Sequence, residues 1–294
     1  MRYRKNSNKM NDMQYRHAFE TFCFLSKRHN GKQLTQPIIY DLAAEAIKER
    51  SFEASPEEFI SDIIKITCLI VKDGEENRFV HKSIQEFFAA SYIQRRPDVV
   101  ARGIYKKLFA AKLGWRFNQE LLFLSEIDRY RYFKFGELEF LKEFFEIEES
   151  GFRKSPPVQC FAKVRKLLGE ISVSVCQIDK YLRLESVQLP YFGPIFWKVQ
   201  QVYEGTVIEA LIKATNIGEA PDEIKASFRA SVNVKRHMFD LEDWPKEIEG
   251  ISGIPSINLA LAAKNITDTF FSIALKALNF VEKEENNPAA DKLG

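Results

Sequence analysis

His81 is the residue whose type and position most strongly suggest chemistry on an anion. It lies where a short strand-like run, residues 77–81, gives way to a helical segment that begins at Ser83. Groups at the amino terminus of a helix face unpaired backbone amides and the positive end of the helix dipole, which favour a negatively charged partner. An imidazole can donate a hydrogen bond to phosphate in either protonation state, and neighbouring Lys82 would add positive charge. Two interpretations stay open: His81 contacts an anion, or it only satisfies the junction between strand and helix.

Sequence signatures of catalysis are missing from the chain. The one Gly-Lys pair, Gly31-Lys32, is followed by Gln33, so no G-x-x-x-x-G-K-[ST] loop is present to cradle nucleotide phosphates. The motifs G-x-G-x-x-G, H-E-x-x-H and G-x-S-x-G are also absent. We therefore predict no catalytic residue and no enzymatic activity for this chain alone.

The histidines and cysteines do not predict a metal or cofactor site. Histidine occurs singly, without metal-ligand spacing, at His17, His29, His81 and His237. The 4 cysteines contain no C-x-x-C pair, which together with the lack of a signal peptide predicts reduced thiols and a cytoplasmic protein. No apolar run reaches the ~18 residues that a membrane-spanning helix needs. The many carboxylates are predicted to lie on the solvated faces of the helices.

The composition and periodicity predict a mainly α fold. The chain has 25 phenylalanines but only 13 glycines and 11 prolines, so turn-forming residues are few. Helical spacing is found at 15–25, 37–48, 56–67 and 83–94, and two strand-like runs are found at 68–72 and 77–81. Ser55-Pro56 is typical of a helix start, and Asp73-Gly74 of a tight turn between strands. Helices followed by a small β-hairpin and a further helix predict a winged-helix domain over residues 1–96.

The rest of the chain is predicted to be an α-helical domain in two parts. Residues 97–150 form its first part, residues 151–157 a linker, and residues 158–294 a C-terminal helical domain with a disordered tail that begins near residue 282. The predicted helices are 99–113, 118–127, 135–145, 158–168, 177–184, 199–215, 221–230 and 256–281.

The segment 78–93 strongly resembles the segment that closes the winged-helix domain of NACHT proteins. These are a branch of the STAND signalling NTPases that includes NOD-like receptors and bacterial antiviral systems. The residues that match the family pattern are Phe79, His81, Gln85, Glu86, Phe87, Ala89 and Ala90. The resemblance covers about residues 12–95, a third of the chain, and includes the order of the predicted elements.

The resemblance implies a role for His81. In the family, the matching histidine contacts the β-phosphate of ADP bound in a neighbouring nucleotide domain and so holds the inactive, closed arrangement. By that resemblance His81 is a nucleotide-state sensor, and the other six matching residues are structural. ADP or ATP would be present only if a nucleotide-binding domain, in the same parent protein or in a separate chain, supplied it.

The missing P-loop is a large departure from the family. A gene fragment, a separately encoded subunit and a degenerate homologue all fit, and a split or truncated gene is the most plausible because Met1 falls just upstream of a domain boundary. The expected function is a non-catalytic regulatory portion of a NACHT-type protein. It would couple nucleotide state to a helical sensor domain with an unknown ligand, in antiviral defence.

The alternative is a winged-helix DNA-binding regulator with a helical effector or dimerisation domain. It would need a basic recognition helix, for which 36–48 is the candidate, but Asp41, Glu45 and Glu49 balance its basic residues. A possible basic patch comprises Arg95, Arg96, Arg102, Lys106, Lys107 and Lys112. This patch is either a solvated or interdomain face, or a surface that faces nucleic acid or phosphate. The net charge of +2 argues against general polyanion binding, so we do not expect nucleic acid as a partner.

Overall fold

The computed structural model describes residues 10–29, 34–74, 76–109, 114–178, 181–187, 207, 222, 235–240 and 259–286. The fold is mainly helical, as predicted, with a small three-stranded antiparallel sheet in its amino-terminal part. The chain divides into two units, Met1–Gly136 and Glu137–Gly294.

The first unit begins with the element order of a winged helix. Its elements are α1 (Asp12–Arg28), β1 (Leu34–Thr35), α2 (Gln36–Glu49), α3 (Pro56–Asp62), a π-helical turn (Ile63–Thr67), β2 (Ile70–Asp73), β3 (Glu76–Phe79) and α4 (Lys82–Gln94). The strands are antiparallel in the order β1-β3-β2. The predicted hairpin is therefore confirmed, and β1, which was not predicted, adds a third strand to it.

Local sequence signals explain where these elements begin and turn. The Ser55 hydroxyl accepts a hydrogen bond from the Glu58 amide at 3.4 Å, and Pro56 occupies the first helical position, as predicted. Gly74 has φ +63°, a left-handed conformation that favours glycine in the turn between β2 and β3.

Aromatic side chains form the core between α1 and α4. The Phe19 ring packs edge-on against Phe88 at 4.9 Å between centroids, and the Phe24 ring stacks on Tyr92 at 4.4 Å. Because α4 begins directly after the hairpin, this packing fixes the position of the strand–helix junction that contains His81.

The first unit continues after the winged helix with further helices. These are α5 (Asp98–Phe109), a 3₁₀ turn (Gly114–Phe117), α6 (Asn118–Ile127), α7 (Arg129–Arg131) and a π-helix (Tyr132–Leu138) that reaches the boundary with the second unit. The predicted helix 118–127 is confirmed at both ends. Of the helix predicted at 99–113, residues 110–113 lie outside the described part of the chain.

Arg131 ties this helical segment to the end of α4. Its Nε donates to the Asp128 carboxylate at 2.9 and 3.1 Å, and its Nη1 donates to the backbone carbonyl of Arg96 at 2.6 Å. Its Nη2 donates to the carbonyl of Gln94. The Tyr105 hydroxyl donates to the other side of the network, to Asp128 Oδ2 at 2.9 Å. One guanidinium thus binds a buried carboxylate and two carbonyls at the carboxyl end of α4.

Gly136 is required by a close approach within the first unit. A Cβ at this position would lie 2.5 Å from Cε2 of the buried Phe109 ring, which itself packs against Tyr132 at 5.7 Å between centroids. We expect Gly136→Ala to lower the free energy of unfolding by about 1–3 kcal/mol, because the ring must move out of its packed position.

A matched substitution separates this overlap from the general effect of replacing a glycine. A Cβ on Gly103, in the exposed part of α5, meets nothing within 4 Å, so Gly103→Ala should stabilise the unit by about 0.5–1 kcal/mol. Urea unfolding measures both variants. Equal effects of the two substitutions would contradict the role of the overlap.

The second unit combines helices with a sheet. Its described elements are α8 (Glu139–Phe145), a 3₁₀ turn (Glu149–Arg153), α9 (Val158–Gly169), β4 (Ser172–Ile178), β5 (Tyr181–Val187), β6 (Lys235–Asp240) and α10 (Leu259–Asn286). The three strands are antiparallel in the order β5-β4-β6. The Phe271 ring of α10 packs against Phe145 at 5.5 Å and against Phe152 at 5.1 Å.

The second unit corrects part of the prediction. The helix predicted at 177–184 is wrong, because residues 177–178 belong to β4 and residues 181–184 to β5, which pair antiparallel. Val173 and Val175 are fully buried and alternate with serines, a period of two that packs one face of a strand. The predicted linker 151–157 begins inside a 3₁₀ turn, and α10 continues to Asn286, five residues beyond its predicted end. Other predictions lie outside the described residues: the helices 199–215 and 221–230, apart from residues 207 and 222, and the tail 287–294.

Candidate functional site

His81 lies at the N-cap position of α4. Its backbone is extended, with φ −133° and ψ 134°, and its carbonyl accepts the hydrogen bond of the Ile84 amide at 3.0 Å. The residue is exposed, and its side chain makes no capping hydrogen bond to the helix. The backbone therefore satisfies the junction, and the exposed imidazole takes no part in capping the helix.

The surroundings of His81 favour a negative charge. The first turn of α4 contains no acidic residue, and Lys82 and Ser83 in this turn are both exposed. The first amides of a helix have no partner inside the helix, and the helix dipole is positive at this end. An anion held here by another molecule would meet backbone amides, an imidazole and an ammonium group.

Most of the other motif residues point away from His81, towards α1. The Phe79 ring lies 6.4 Å from Phe19 and 6.2 Å from Phe22, and Gln85 Nε2 donates to Ser26 Oγ at 2.9 Å. Ala89 and Ala90 are fully buried. These small and polar residues let α4 lie close against α1, which fixes the helix end that carries His81.

Phe87 and Glu86 connect α4 with further elements. The half-buried Phe87 ring packs edge-on against Phe123 of α6 at 5.6 Å. Glu86 is buried and forms an ion pair with Lys27 of α1 at 3.4 Å. These two motif residues thus join three helices.

The structure divides the possible basic patch. Arg95 Nε contacts Glu20 at 3.0 Å, and the Arg96 guanidinium forms an ion pair with Glu49 and lies 4.0 Å from the centroid of the Tyr92 ring. Arg95 is nevertheless exposed, as are Arg102, Lys106 and Lys107 on α5. Lys112 lies outside the described residues. The two arginines at the end of α4 thus contact acidic side chains of α1 and α2.

Buried carboxylates correct the expectation that the acidic residues line solvated faces. Glu20, Glu86 and Glu120 are all buried. Glu20 also accepts from Arg16 Nε at 3.0 Å. Glu120 forms an ion pair with Lys27 at 2.8 Å, and burial raises its pKa. A signal for Glu120 existed in the sequence, because it lies four residues before Leu124, on the apolar face of α6.

Burial also changes the pKa of His17 on α1. Burial lowers this pKa, Glu20 opposes the change, and the nearby arginines Arg95, Arg50 and Arg16 add to it. His17 Nε2 is buried without a hydrogen-bond partner. Among the described residues, no group of three or more His, Cys, Asp or Glu side chains could hold a metal ion.

Comparisons with known proteins give no match: no protein-family model, curated protein or solved structure resembles this chain detectably. No helix within the described ranges is both long and apolar enough to traverse a lipid bilayer. Support for a function therefore comes from the residues and their geometry.

Proposed function

We propose that this chain is the non-catalytic regulatory portion of a NACHT-type signalling NTPase, acting in antiviral defence. A nucleotide-binding domain, in the same parent protein or in a separate chain, would hold ADP, and His81 would contact its phosphate. The observation that carries this proposal is the exposed imidazole at the amino terminus of α4, in a segment whose other motif residues hold the helix in place.

A second feature supports docking of another domain beside His81. Val80 precedes His81 and is exposed, and Val71 on β2 and Ile66 on the π-helical turn before it are exposed apolar side chains as well. Exposed apolar side chains are typical of interaction surfaces when they form a patch. A docked nucleotide domain would cover them and bring a bound phosphate to the helix end.

The proposed mechanism is a shift between two arrangements. With ADP bound, the hydrogen bond from His81 to the phosphate would favour the closed arrangement. A ligand that binds the domain after the winged helix more tightly in the open arrangement would shift the population by that difference in affinity. The chain would transmit this change without breaking a bond in the nucleotide.

The first test concerns the chain alone. We expect the purified chain neither to hydrolyse ATP nor to bind ADP measurably in isothermal titration calorimetry, because it has no P-loop. Turnover that follows the chain through purification and survives in repeated preparations would refute the proposal.

The second test uses the protein from its own cells. A tagged chain is recovered, and the nucleotide and any P-loop polypeptide that accompany it are quantified. We expect ADP with the wild type and a loss of most of it, tenfold or more, with His81→Ala. Lys107→Ala, an exposed cation on α5, is the control and should retain ADP. Equal ADP content in the two variants would exclude the sensing role of His81.

The DNA-binding alternative has less support. The helix before the hairpin, α3, is the second helix of the helix-turn-helix pair and takes the position of a recognition helix, whereas the candidate 36–48 corresponds to α2. The exposed charges of α3 and the turn after it are Glu57, Glu58 and Lys65. Two acids against one base would repel the phosphate backbone.

A further inference from the structure

Three ionisable side chains from three helices meet inside the first unit. The Lys27 ammonium of α1 lies 2.8 Å from Glu120 Oε1 of α6 and 3.4 Å from Glu86 Oε1 of α4. We call Lys27, Glu86 and Glu120 the Lys27 cluster. Two carboxylates share one ammonium, so the cluster has a formal charge of −1 when both acids are ionised.

The Lys27 cluster is shielded from water. The side chains of Lys27, Glu86 and Glu120 are 12, 9 and 0% exposed, respectively. Glu120 Oε2 is buried without a hydrogen-bond partner. An ionised carboxylate in such a place is costly unless it is fully paired.

Neighbouring charges compensate the excess charge only weakly. Lys82 lies 3.6 Å from Glu86, but its side chain is 78% exposed, so water screens its charge. On the 3₁₀ turn before α6, the neighbour of the Lys27 ammonium is the Phe117 ring, whose centroid lies 5.9 Å away and which has no formal charge. Arg116 is the charged residue of that turn, and the other acid of α6, Glu126, is exposed.

We propose that the Lys27 cluster is a proton-binding joint between the winged helix and α6. A proton from solvent adds to the Glu120 carboxylate, which removes the excess negative charge and leaves Lys27 paired with Glu86. No other bond changes in this step. The joint couples the seating of α6 on α4 to pH, independently of any nucleotide at His81.

The direction of the pH effect follows from the burial of Glu120. Burial raises the pKa of Glu120, Lys27 opposes the change, and Glu86 adds to it. The folded form then binds the proton more tightly than the unfolded form. The stabilisation of the folded form by this proton is therefore complete below the pKa that Glu120 has in the unfolded chain. It is lost as the pH rises through the pKa of the folded form.

The test compares the pH dependence of unfolding in matched variants. The equilibrium constant for folding is measured by urea unfolding from pH 4.5 to 8 for the wild type, Glu120→Gln, Glu86→Gln and Glu126→Gln. The wild type and Glu126→Gln should lose stability with rising pH, by up to about tenfold per pH unit within the titration range of Glu120. Glu120→Gln should lack this loss, and Glu86→Gln should reduce it, because each leaves a one-to-one ion pair.

Carbon-13 NMR of the glutamate carboxyls gives an independent readout. In the wild type and in Glu126→Gln, one carboxyl should have a pKa above the ordinary glutamate value of about 4.3. The signal of that carboxyl should be missing in Glu120→Gln. Superimposable pH profiles of the wild type and Glu120→Gln would overturn the proposal. If Glu120→Gln does not fold, a Glu86→Gln profile that retains the full wild-type slope would overturn it in the same way.

Discussion

Lys27→Met is expected to lower the free energy of unfolding of the first unit by about 3–5 kcal/mol. The substitution keeps much of the apolar length of the side chain but removes the one buried cation between Glu86 and Glu120 in the Lys27 cluster. Two carboxylates then remain in a place that water barely reaches. The loss should be larger at pH 8 than at pH 5, because protonation of the unpaired acids relieves part of it.

Urea unfolding followed by circular dichroism measures this loss. Lys65→Met, an exposed lysine on the π-helical turn after α3, is the control and should change stability by less than about 0.5 kcal/mol. The triple variant Lys27→Met, Glu86→Gln, Glu120→Gln should recover part of the loss, since it leaves no buried charge in the cluster. A Lys27→Met protein as stable as the control would contradict the role assigned to this lysine.

Arg131→Met is expected to have an effect of similar size, about 3–5 kcal/mol. The side chain of Arg131 is mostly buried and donates to Asp128 and to the carbonyls of Gln94 and Arg96. Without the guanidinium, the buried Asp128 still accepts the hydrogen bond from the Tyr105 hydroxyl but loses its counter-charge. The carboxyl end of α4 loses two hydrogen bonds at the same time.

A double-mutant cycle with Asp128→Asn separates the ion pair from the hydrogen bonds to the carbonyls. The coupling energy between the two positions should be about 1–3 kcal/mol, and the remainder of the Arg131 effect should persist in the Asp128→Asn background. Arg129→Met, two residues earlier and exposed, serves as the control, with an expected loss of under about 1 kcal/mol. Zero coupling would show that the pair contributes nothing to stability.

The winged-helix part was predictable because its local signals agree with each other. Ser55-Pro56 starts a helix, Asp73-Gly74 turns a hairpin, and each of these signals acts within a few residues. The strand β1 escaped prediction because two residues, Leu34 and Thr35, cannot show a period. Its pairing with β3 depends on the tertiary fold.

The second sheet and the buried charges were not predicted, because both depend on contacts between residues that are distant in the sequence. The helix predicted at 177–184 covers the end of β4 and the start of β5, although the alternation of serine and valine just before it, from Ser172 to Val175, predicts a strand when it is counted by itself. The Lys27 cluster joins residues up to 93 positions apart, 27 and 120, and no local pattern indicates that pairing. For His81, the sequence predicted the position at the junction, but its exposure follows from the packing of α4 on α1.

The division of the motif into one outward histidine and a set of inward residues has a consequence for genetics. In a saturation mutagenesis library, changes at Ala89 or Ala90 should reduce cellular abundance, because both side chains are fully buried. Changes at His81 should leave abundance intact, because the residue is exposed, and under the sensing role proposed above they should alter only the signalling phenotype. A single short segment would thus yield two separable classes of alleles, one unstable and the other present at normal levels but unresponsive or constitutively active.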